Sequence, residues 1–448
     1  MRVRPLGAAP VAWLLLLTAC SSGNVGAPPS APAAPALKLV GHDDLGGAAG
    51  AGKGGEGMAM VATSDGKRVL YIAAESGPAC FAVVDVTDPT RPRMLKQIDV
   101  PGPNTQCNSL DLSGNLLLVA NQAGKAGQMP AGLRIFDVRD PLAPKETGFF
   151  DTSGPQSRGV HHVWFVDGRY AYLSTGAADF TPANPQDDQF FMVVDLSQPD
   201  RPREVGRWWY PGTRQDDIGR PPRNPGLDSG YRLHNIDVFP DHPNRAYLGY
   251  IDGGVVILDI SNKQQPKPVF LGRPEPPATV GFTHTVLPLF SRRLLVVSSE
   301  ATTNKCAEPD KRIWTWDLKD ETRPMPIAPV PEPADKALLC QAGGRFGAHN
   351  IWENRPGRLG AHSDRLVVGS FFAGGVRVYD VCDPAAPKEV AFNVPPAPPG
   401  SQVGSIQINH VYWDDRGIVY AVDRFGGGLY DMKLQTPGLT SASGCKSG

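Results

Sequence analysis

The chain has 448 residues, with 50 glycines, 45 prolines and a formal net charge of −1. This near-neutral charge offers no basic surface for a polyanion, so we expect no nucleic-acid partner. Beyond the first twenty residues the sequence has no apolar stretch long enough to cross a bilayer. The many glycines and prolines are the turn residues that a protein of short β-strands requires.

The N-terminus has the pattern of a bacterial lipoprotein signal. Arg2 and Arg4 precede a short apolar stretch, and residues 17–20 read Leu-Thr-Ala-Cys, which matches a lipobox. We therefore expect a signal peptide over residues 1–19, a lipid on Cys20 that anchors the protein to a membrane, and a flexible tether over 20–35. An ordinary secretory signal with an unmodified Cys20 is the alternative. Ser21 favours the periplasmic face of the outer membrane within the bacterial cell envelope.

A repeated segment follows, in which an apolar run ends in Asp and then breaks at a polar or Pro-containing turn. Its copies recur every ~50–65 residues, a spacing typical of β-propeller blades. The sequence thus predicts an all-β fold, a seven-bladed propeller of four-stranded antiparallel blades over residues 36–434, with a C-terminal tail over 435–448. The central aspartates are Asp85, Asp137, Asp195, Asp259, Asp317, Asp380 and Asp431.

The last copy supplies only three strands before it ends near Leu434. Residues 36–44 have the character of the missing fourth strand, so we expect this N-terminal strand to complete the last blade and close the ring. Such a closure leaves no open sheet edge, and the protein is expected to be a monomer. A ring of six or eight blades is the alternative count.

The copies at 83–92 (VVDVTDPTRP) and 135–144 (IFDVRDPLAP) resemble the LVIVD repeat. This repeat forms propellers in exported bacterial proteins, so the resemblance implies the fold and the compartment. It implies little about activity, because a fold does not dictate chemistry.

Six cysteines remain after Cys20, and an even number in an oxidising compartment favours disulfides. Six cysteines allow fifteen pairings, among which the sequence alone does not choose. We favour the pairs that join neighbouring blades or close a terminus. A thiolate ligand at Cys107 competes with the disulfide at that position. The favoured pairs are Cys80–Cys107, Cys306–Cys340 and Cys382–Cys445.

Histidines recur at one place in the repeat, where the first strand of a blade begins. Because first strands surround the axis of a propeller, we expect these imidazoles to converge at one mouth of the channel. Converging neutral imidazoles suit Cu, Fe or Zn, so a transition metal ion is the expected cofactor. The alternative is that these histidines were copied as the blades were duplicated and only form hydrogen bonds to neighbouring loops. The predicted metal ligands are His161, His234, His284, His349 and His410.

Further polar residues are expected at the same mouth. Carboxylates that end second strands are candidates for catalysis, as general bases or as partners of the imidazoles. Arginines near this mouth, and the residues next to the predicted metal ligands, are candidates for binding a carboxylate or phosphate ligand. For each of these residues, the alternative is that it only caps a loop at the solvated rim of the propeller. The catalytic candidates are Glu75, Glu300 and Asp423, and the ligand-binding candidates are Asn108, Arg158, His162, Arg232 and Arg345.

Two segments, GAHNIW (347–352) and GGVRVYDVCDPAAPKEV (374–390), resemble stretches of the selenium-binding protein/methanethiol oxidase family. Members of that family are propellers with a histidine-bound metal, and carotenoid oxygenases hold iron with four histidines on a similar plan. The resemblance implies a metal-dependent envelope enzyme, oxidative or else hydrolytic, that acts on a small molecule. A non-enzymatic lipid-anchored scaffold that binds an envelope protein or a surface polymer is the alternative.

Overall fold

A computed structural model of the protein describes residues 37–272, 281–435 and 444–446. The described residues form twenty-eight short β-strands. The repeated Asp has a local role that explains its recurrence. In six of the seven copies one carboxylate oxygen accepts the backbone N–H two residues later, as Asp85 does from Thr87 at 3.0 Å, which forms the turn after the third strand. Asp431 is the exception, because it lies within a strand that continues.

The strands are arranged in consecutive antiparallel blades. Blade 1 contains β2 (Gly54–Ala62), β3 (Arg68–Ala74), β4 (Ala79–Asp85) and β5 (Arg93–Asp99). Blade 2 contains β6 (Thr105–Gln106), β7 (Leu110–Ser113), β8 (Leu116–Ala123), β9 (Gly132–Asp137) and β10 (Lys145–Asp151). Blade 3 contains β11 (Val160–Trp164), β12 (Tyr170–Thr175), β13 (Phe190–Asp195) and β14 (Arg203–Trp208). Blade 4 contains β15 (Ile236–Asp237), β16 (Arg245–Tyr250), β17 (Gly254–Asp259) and β18 (Lys267–Leu271).

Blade 5 contains β19 (Thr283–Leu289), β20 (Leu294–Ser299), β21 (Ile313–Asp317) and β22 (Met325–Pro329). Blade 6 contains β23 (Leu366–Ser370), β24 (Val376–Asp380) and β25 (Lys388–Asn393). Its inner position is taken by residues 349–352, which pair with β23 through backbone hydrogen bonds such as Trp352 N–H to Val368 O at 2.8 Å. Blade 7 contains β26 (Ile408–Trp413), β27 (Ile418–Asp423), β28 (Leu429–Lys433) and, from the N-terminal side, β1 (Lys38–Asp43).

The blades close into a ring whose inner wall is made of first strands. β2 contacts both β7 and β26, β11 contacts β7 and β15, and β15 contacts β19. The last blade is completed by β1, which pairs antiparallel with β28 and places His42 opposite Tyr430. The prediction of seven four-stranded blades, closed by the N-terminal strand, is confirmed.

Apolar side chains pack in layers between neighbouring blades. The inner strands of the blades are mostly buried on both faces, as in β13 with all six residues buried, whereas outermost strands such as β5 and β10 are largely exposed. Trp164 illustrates how polar atoms are satisfied in this core, because its indole N–H donates to Val238 O of the next blade at 2.6 Å. These layers hold the first strands in fixed positions around the channel, which is where the predicted site residues lie.

Three disulfides join the pairs predicted from the sequence. Cys80–Cys107 links blade 1 to blade 2, Cys306–Cys340 joins a loop of blade 5 to the helix Lys336–Ala342, and Cys382–Cys445 ties the C-terminal residues to blade 6. The prediction is confirmed, and the alternative of a Cys107 thiolate ligand is wrong because that sulfur is bonded to Cys80. Disulfides of this number are typical of a protein in an oxidising compartment.

The remaining regular elements are one α-helix, α1 (Lys336–Ala342), and two short 3₁₀ turns (Gly47–Ala49 and Phe290–Arg292). Among the residues described, no helix combines the length and apolar character that a bilayer span requires. The predicted signal peptide, the lipidation of Cys20 and the tether over 20–35 lie outside the described residues, as does most of the predicted tail.

Candidate metal centre

A β-bulge at the start of the first strands aims one residue per blade into the channel. In blade 3 the pairing of β11 with β12 slips between Val160 and His162, which leaves His161 as the extra residue. A bulge re-aims the side chain it carries, so two successive residues both face inward. The same irregularity in blades 4 to 7 puts further residues in this extra position: His234, His284, His349 and Asn409.

The four histidines in this position form a continuous arc. The ring centroids are 4.3 Å apart for His161 and His234, 4.0 Å for His234 and His284, and 4.5 Å for His284 and His349. Three of the rings are buried, while His161 is partly exposed. These four histidines lie close together, as predicted from the sequence.

Hydrogen bonds at Nδ1 fix the orientation of three of these rings. Nδ1 of His161 lies 3.1 Å from Gln122 Oε1, and Nδ1 of His234 lies 2.9 Å from Asn235 Oδ1. Nδ1 of His349 lies 2.8 Å from the backbone oxygen of Asn409. Where Nδ1 donates to such an oxygen, Nε2 is left with a lone pair; amide nitrogens of Asn108 and Asn350 also approach Nδ1 of His161 and His349, at 3.4 and 3.3 Å. This arrangement is typical of histidines that bind metal through Nε2.

Two of these lone pairs face each other. Nε2 of His161 is 3.0 Å from Nε2 of His234, and neither nitrogen has a hydrogen to donate in this tautomer. Metal–nitrogen bonds of about 2.0–2.1 Å place neighbouring ligand atoms roughly 2.9–3.4 Å apart. The observed separation is therefore that of two ligands of one ion.

Glu56 completes the cluster from blade 1. Its Oε2 lies 3.4 Å from His284 Nε2 and its Oε1 lies 3.7 Å from His349 Nε2. Oε2 and the facing His284 Nε2 are both buried and have no hydrogen-bond partner among the described residues. Buried polar atoms without partners are costly, and a cation between them would satisfy both.

Glu56 was not predicted, because it lies in a Gly-rich stretch whose composition resembles a loop. The structure instead places Gly54–Ala62 as the innermost strand of blade 1. A Cβ on Gly54 would lie 1.9 Å from a methyl carbon of Val422, and one on Gly57 would lie 2.2 Å from the backbone nitrogen of Leu110. The glycines thus permit close approach to blades 7 and 2. The sequence feature that could have identified Glu56 is that it is a lone carboxylate at the place in the repeat where other blades carry histidine.

The protonation states match those of a metal-ligand set. Burial lowers the pKa of His161 and His349 well below the ordinary value and that of His234 to about 3, and neighbouring imidazoles act in the same direction. Burial acts to raise the pKa of Glu56, but His234 and the other imidazoles outweigh it and hold that pKa well below its usual range. Neutral imidazoles around an ionised carboxylate are the state that binds a metal.

Glu300, predicted as a catalytic residue, borders the cluster. Its carboxylate oxygens lie 3.7 Å from Nε2 of His234 and 3.7 Å from Nε2 of His349, and Arg345 donates to it at 2.8 Å. Burial raises the pKa of Glu300, although Arg345 opposes this. Among the described residues, three overlapping groups drawn from Glu56, Glu300 and the four histidines could hold a metal ion.

Glu75 lies one step further out. It accepts a hydrogen bond from Asn409 Nδ2 at 3.1 Å and forms an ion pair with Arg424. Burial raises the pKa of Glu75 to about 7, against the effect of Arg424. Asn409 connects this pair to the cluster, because its backbone oxygen accepts from His349.

The remaining predicted arginines lie at the mouth, each paired with a carboxylate. Arg158 forms a charge-assisted hydrogen bond to Asp188 at 2.5 Å, and Arg232 lies 3.6 Å from the same carboxylate. Asn108, also predicted to bind ligand, approaches His161 Nδ1 at 3.4 Å. These contacts place all three beside the cluster, and the ligand they would bind stays a prediction.

His162 and His410 occupy a second layer. Both follow the bulge residue in the chain, and neither belongs to the groups of potential ligands found among the described residues. The assignment of His410 as a ligand stays a prediction, and Asn409 takes the bulge position in blade 7. Burial lowers the pKa of both histidines, and Arg355 adds to that effect.

Asp423, the third predicted catalytic residue, has a structural role. Its carboxylate accepts the backbone N–H groups of Gln407 at 2.7 Å, Phe425 at 2.8 Å and Gly427 at 2.8 Å. These bonds hold the loop that carries Arg424, and a catalytic role for Asp423 stays a prediction.

A buried polar network extends from the cluster along the channel. Asn235, which orients His234, donates to Glu353 at 2.9 Å, and Arg355 pairs with Glu353 at 3.2 Å and with Asp111 at 2.5 Å. The Arg355 guanidinium also lies 4.2 Å from the centre of the Trp164 ring. This network was not predicted; the only sequence signal for it is a set of charged residues inside first-strand segments.

Comparison with known proteins supports the fold. Residues 244–270 match the family model of the LVIVD repeat. No curated protein sequence matches the chain. The resemblance to selenium-binding proteins stays a prediction.

Similar solved structures are distant in sequence. They include the β-propeller domain of Cps50 (Swd1) from Myceliophteria thermophila, at 12% identity and a TM-score of 0.53, covering 89% of this chain and 100% of that one. The periplasmic gluconolactonase PpgL of Pseudomonas aeruginosa is 13% identical with a TM-score of 0.52, covering 82% and 95%. At such identity the likeness concerns the fold alone. The chain is thus a seven-bladed β-propeller that carries an LVIVD repeat.

Proposed function

We propose that the protein is an exported, lipid-anchored propeller whose axial cluster binds one transition metal ion and uses it in a reaction on a small molecule. The observation that carries this proposal is the convergence of four imidazoles on the buried Glu56: Nε2 of His161 and His234 are 3.0 Å apart, and Glu56 Oε2 and His284 Nε2 lack hydrogen-bond partners among the described residues. Two lone pairs at this distance repel each other unless a cation accepts both.

The ligand set supports an ion that accepts both nitrogen and oxygen. Four neutral imidazoles and one carboxylate suit Fe, Cu or Zn better than Ca²⁺ or Mg²⁺, which prefer oxygen ligands. Such an ion supplies Lewis acidity or electron transfer when it is bound. We favour oxidative over hydrolytic chemistry because imidazoles dominate the set.

The surrounding residues orient the ligands and limit the access of water. Phe372 stacks on the His349 ring at 4.5 Å, and Phe282 lies against His234 at 5.8 Å between ring centroids. The partly exposed His161 leaves one side open to a small molecule. Glu300, fixed by Arg345, is placed to hold or release a proton beside His234 and His349.

The metal content of protein purified without a histidine tag tests this proposal. We expect about one transition metal ion per chain by elemental analysis, and less than about a tenth of that in the double variant His234→Ala/His349→Ala. His242→Ala is the matched control, because this ring lies outside the cluster and stacks on Phe290. Wild-type protein that folds correctly but holds no metal, even after incubation with Fe²⁺, Cu²⁺ and Zn²⁺, would contradict the proposal.

The alternative function, a lipid-anchored scaffold, is favoured by a different surface. Ile218 is fully exposed in a loop beside the half-buried Trp208 and Trp209. Exposed apolar groups of this kind are typical of surfaces that contact other proteins. A metal-free wild type would leave this as the better account.

A further inference from the structure

A pocket of about 420 Å³ lies beside the cluster, at the side where blade 7 meets blade 1. Its lining includes Lys53, Glu75, Arg424 and Phe425. Lys53 is three residues before Glu56 in the chain, so their backbones lie at most roughly 11 Å apart. The pocket is therefore close enough to the cluster for one small molecule to reach both.

The charges around the pocket do not cancel. Arg424 is neutralised by its ion pair with Glu75, whose other oxygen is taken by Asn409. The Lys53 ammonium group is half-buried, and among the described residues no side chain forms an ion pair or hydrogen bond with it. The pocket thus holds one positive charge without a counter-charge, and such a group favours an anion.

The form of the anion follows from the neighbouring groups. Because Glu75 and Arg424 offset each other, Lys53 leaves a single positive charge in the pocket, which a monoanion balances and a dianion such as phosphate exceeds. The rest of the lining is partly apolar, since Val403 and Ala48 contribute to it and the Phe425 ring is 42% exposed. An exposed aromatic ring beside a lone cation suits a ligand with an apolar body and a charged end.

We infer that this pocket binds a small hydrophobic monocarboxylate, with the carboxylate on Lys53 and the apolar body against Phe425. The inference that this pocket is the substrate site of the metal cluster rests on the proposed function. The inference that it binds a monocarboxylate rests on the pocket alone. A molecule held in this way would extend from Lys53 past the Glu75–Arg424 pair toward Glu56 and His349.

Isothermal titration of tag-free protein with sodium benzoate and with benzamide, its neutral counterpart, tests the inference. We expect benzoate to bind at least about tenfold more tightly than benzamide, and Lys53→Met to remove this preference, because a hydrogen bond to a charged group is lost. Lys67→Met is the matched control, since Lys67 is exposed and pairs with Asp65 on a distant turn. Phe425→Ala should weaken both ligands alike.

Equal affinity for benzoate and benzamide, or unchanged benzoate affinity in a folded Lys53→Met variant, would overturn the inference. Should Lys53→Met fold poorly by circular dichroism, Phe425→Ala and the comparison of the two ligands on the wild type decide instead. Repeating the titration on His234→Ala protein separates the two proposals. Benzoate binding without metal would support the pocket and not the metal centre, whereas metal binding without a preference for benzoate would do the reverse.

Discussion

Glu56 brings a negative charge into a cluster of neutral imidazoles, and this defines the chemistry of the centre at the scale of single residues. The imidazoles beside it lower its pKa, against the effect of burial. A buried carboxylate normally requires a partner of opposite charge. Burial lowers the pKa of His161, His234 and His349 beside it and so favours their neutral form, and a metal ion is then the partner that fits.

We therefore expect Glu56→Gln to weaken metal binding by about 10–100-fold, since it removes one negative ligand while keeping the shape of the side chain. Competition with a chromophoric chelator measures the affinity. Glu146→Gln is the control, because Glu146 pairs with Arg134 on outer strands away from the channel. If the two variants bind metal equally well, Glu56 is not a ligand and its burial needs another explanation.

The sequence predicted four of the five residues that meet in this cluster. Repetition made the histidines visible, because each occurs at the same place in its blade. Glu56 was hidden because glycine-rich composition usually indicates a loop, and close packing of innermost strands was not visible in one sequence. His410 lies one residue beyond the bulge position, which Asn409 takes in blade 7, so its role as a ligand stays a prediction.

At the scale of elements, the bulged first strands position the ligands. Regular alternation would turn one of two successive residues away from the channel, whereas the bulge allows both to face inward. Gly249 makes this geometry possible between blades 4 and 5. Its backbone N–H donates to Asn235 O, and a Cβ at this position would lie 1.8 Å from the His284 oxygen.

Gly249→Ala is expected to lower the free energy of unfolding by about 1–3 kcal/mol, because a methyl group must displace the backbone of His284. Denaturant-induced unfolding followed by fluorescence measures the loss. Gly226→Ala should be nearly neutral, since its nearest neighbour would be Asn224 Oδ1 at 3.7 Å. A Gly249→Ala variant as stable as the wild type would show that the two strands can separate without cost.

At the scale of the whole molecule, the ring brings residues far apart in sequence to one axis. β1 closes the ring by pairing with β28, which removes the open edges that strands would otherwise present. This closure and the seven blades were predictable from repeat spacing, and the three disulfide pairs were favoured because each joins neighbouring blades or closes a terminus. The network of Asp111, Glu353 and Arg355 was not predictable, because nothing in the repeat distinguishes an inward charge from a solvated one.

Closure also explains how four blades can supply one ion. Each histidine comes from a different blade, so the ion would bind at the axis only when the ring is complete. We therefore expect a single metal ion bound to Nε2 of His161, His234, His284 and His349, with Glu56 beside it.

Anomalous X-ray diffraction from crystals of tag-free, metal-loaded protein tests this claim most directly. Data collected on both sides of the absorption edge of the bound metal should give one strong peak on the axis, about 2.0–2.2 Å from the ligand atoms. A map with no peak in this cluster, or with its strongest peak at another site while the protein holds stoichiometric metal, would contradict the account.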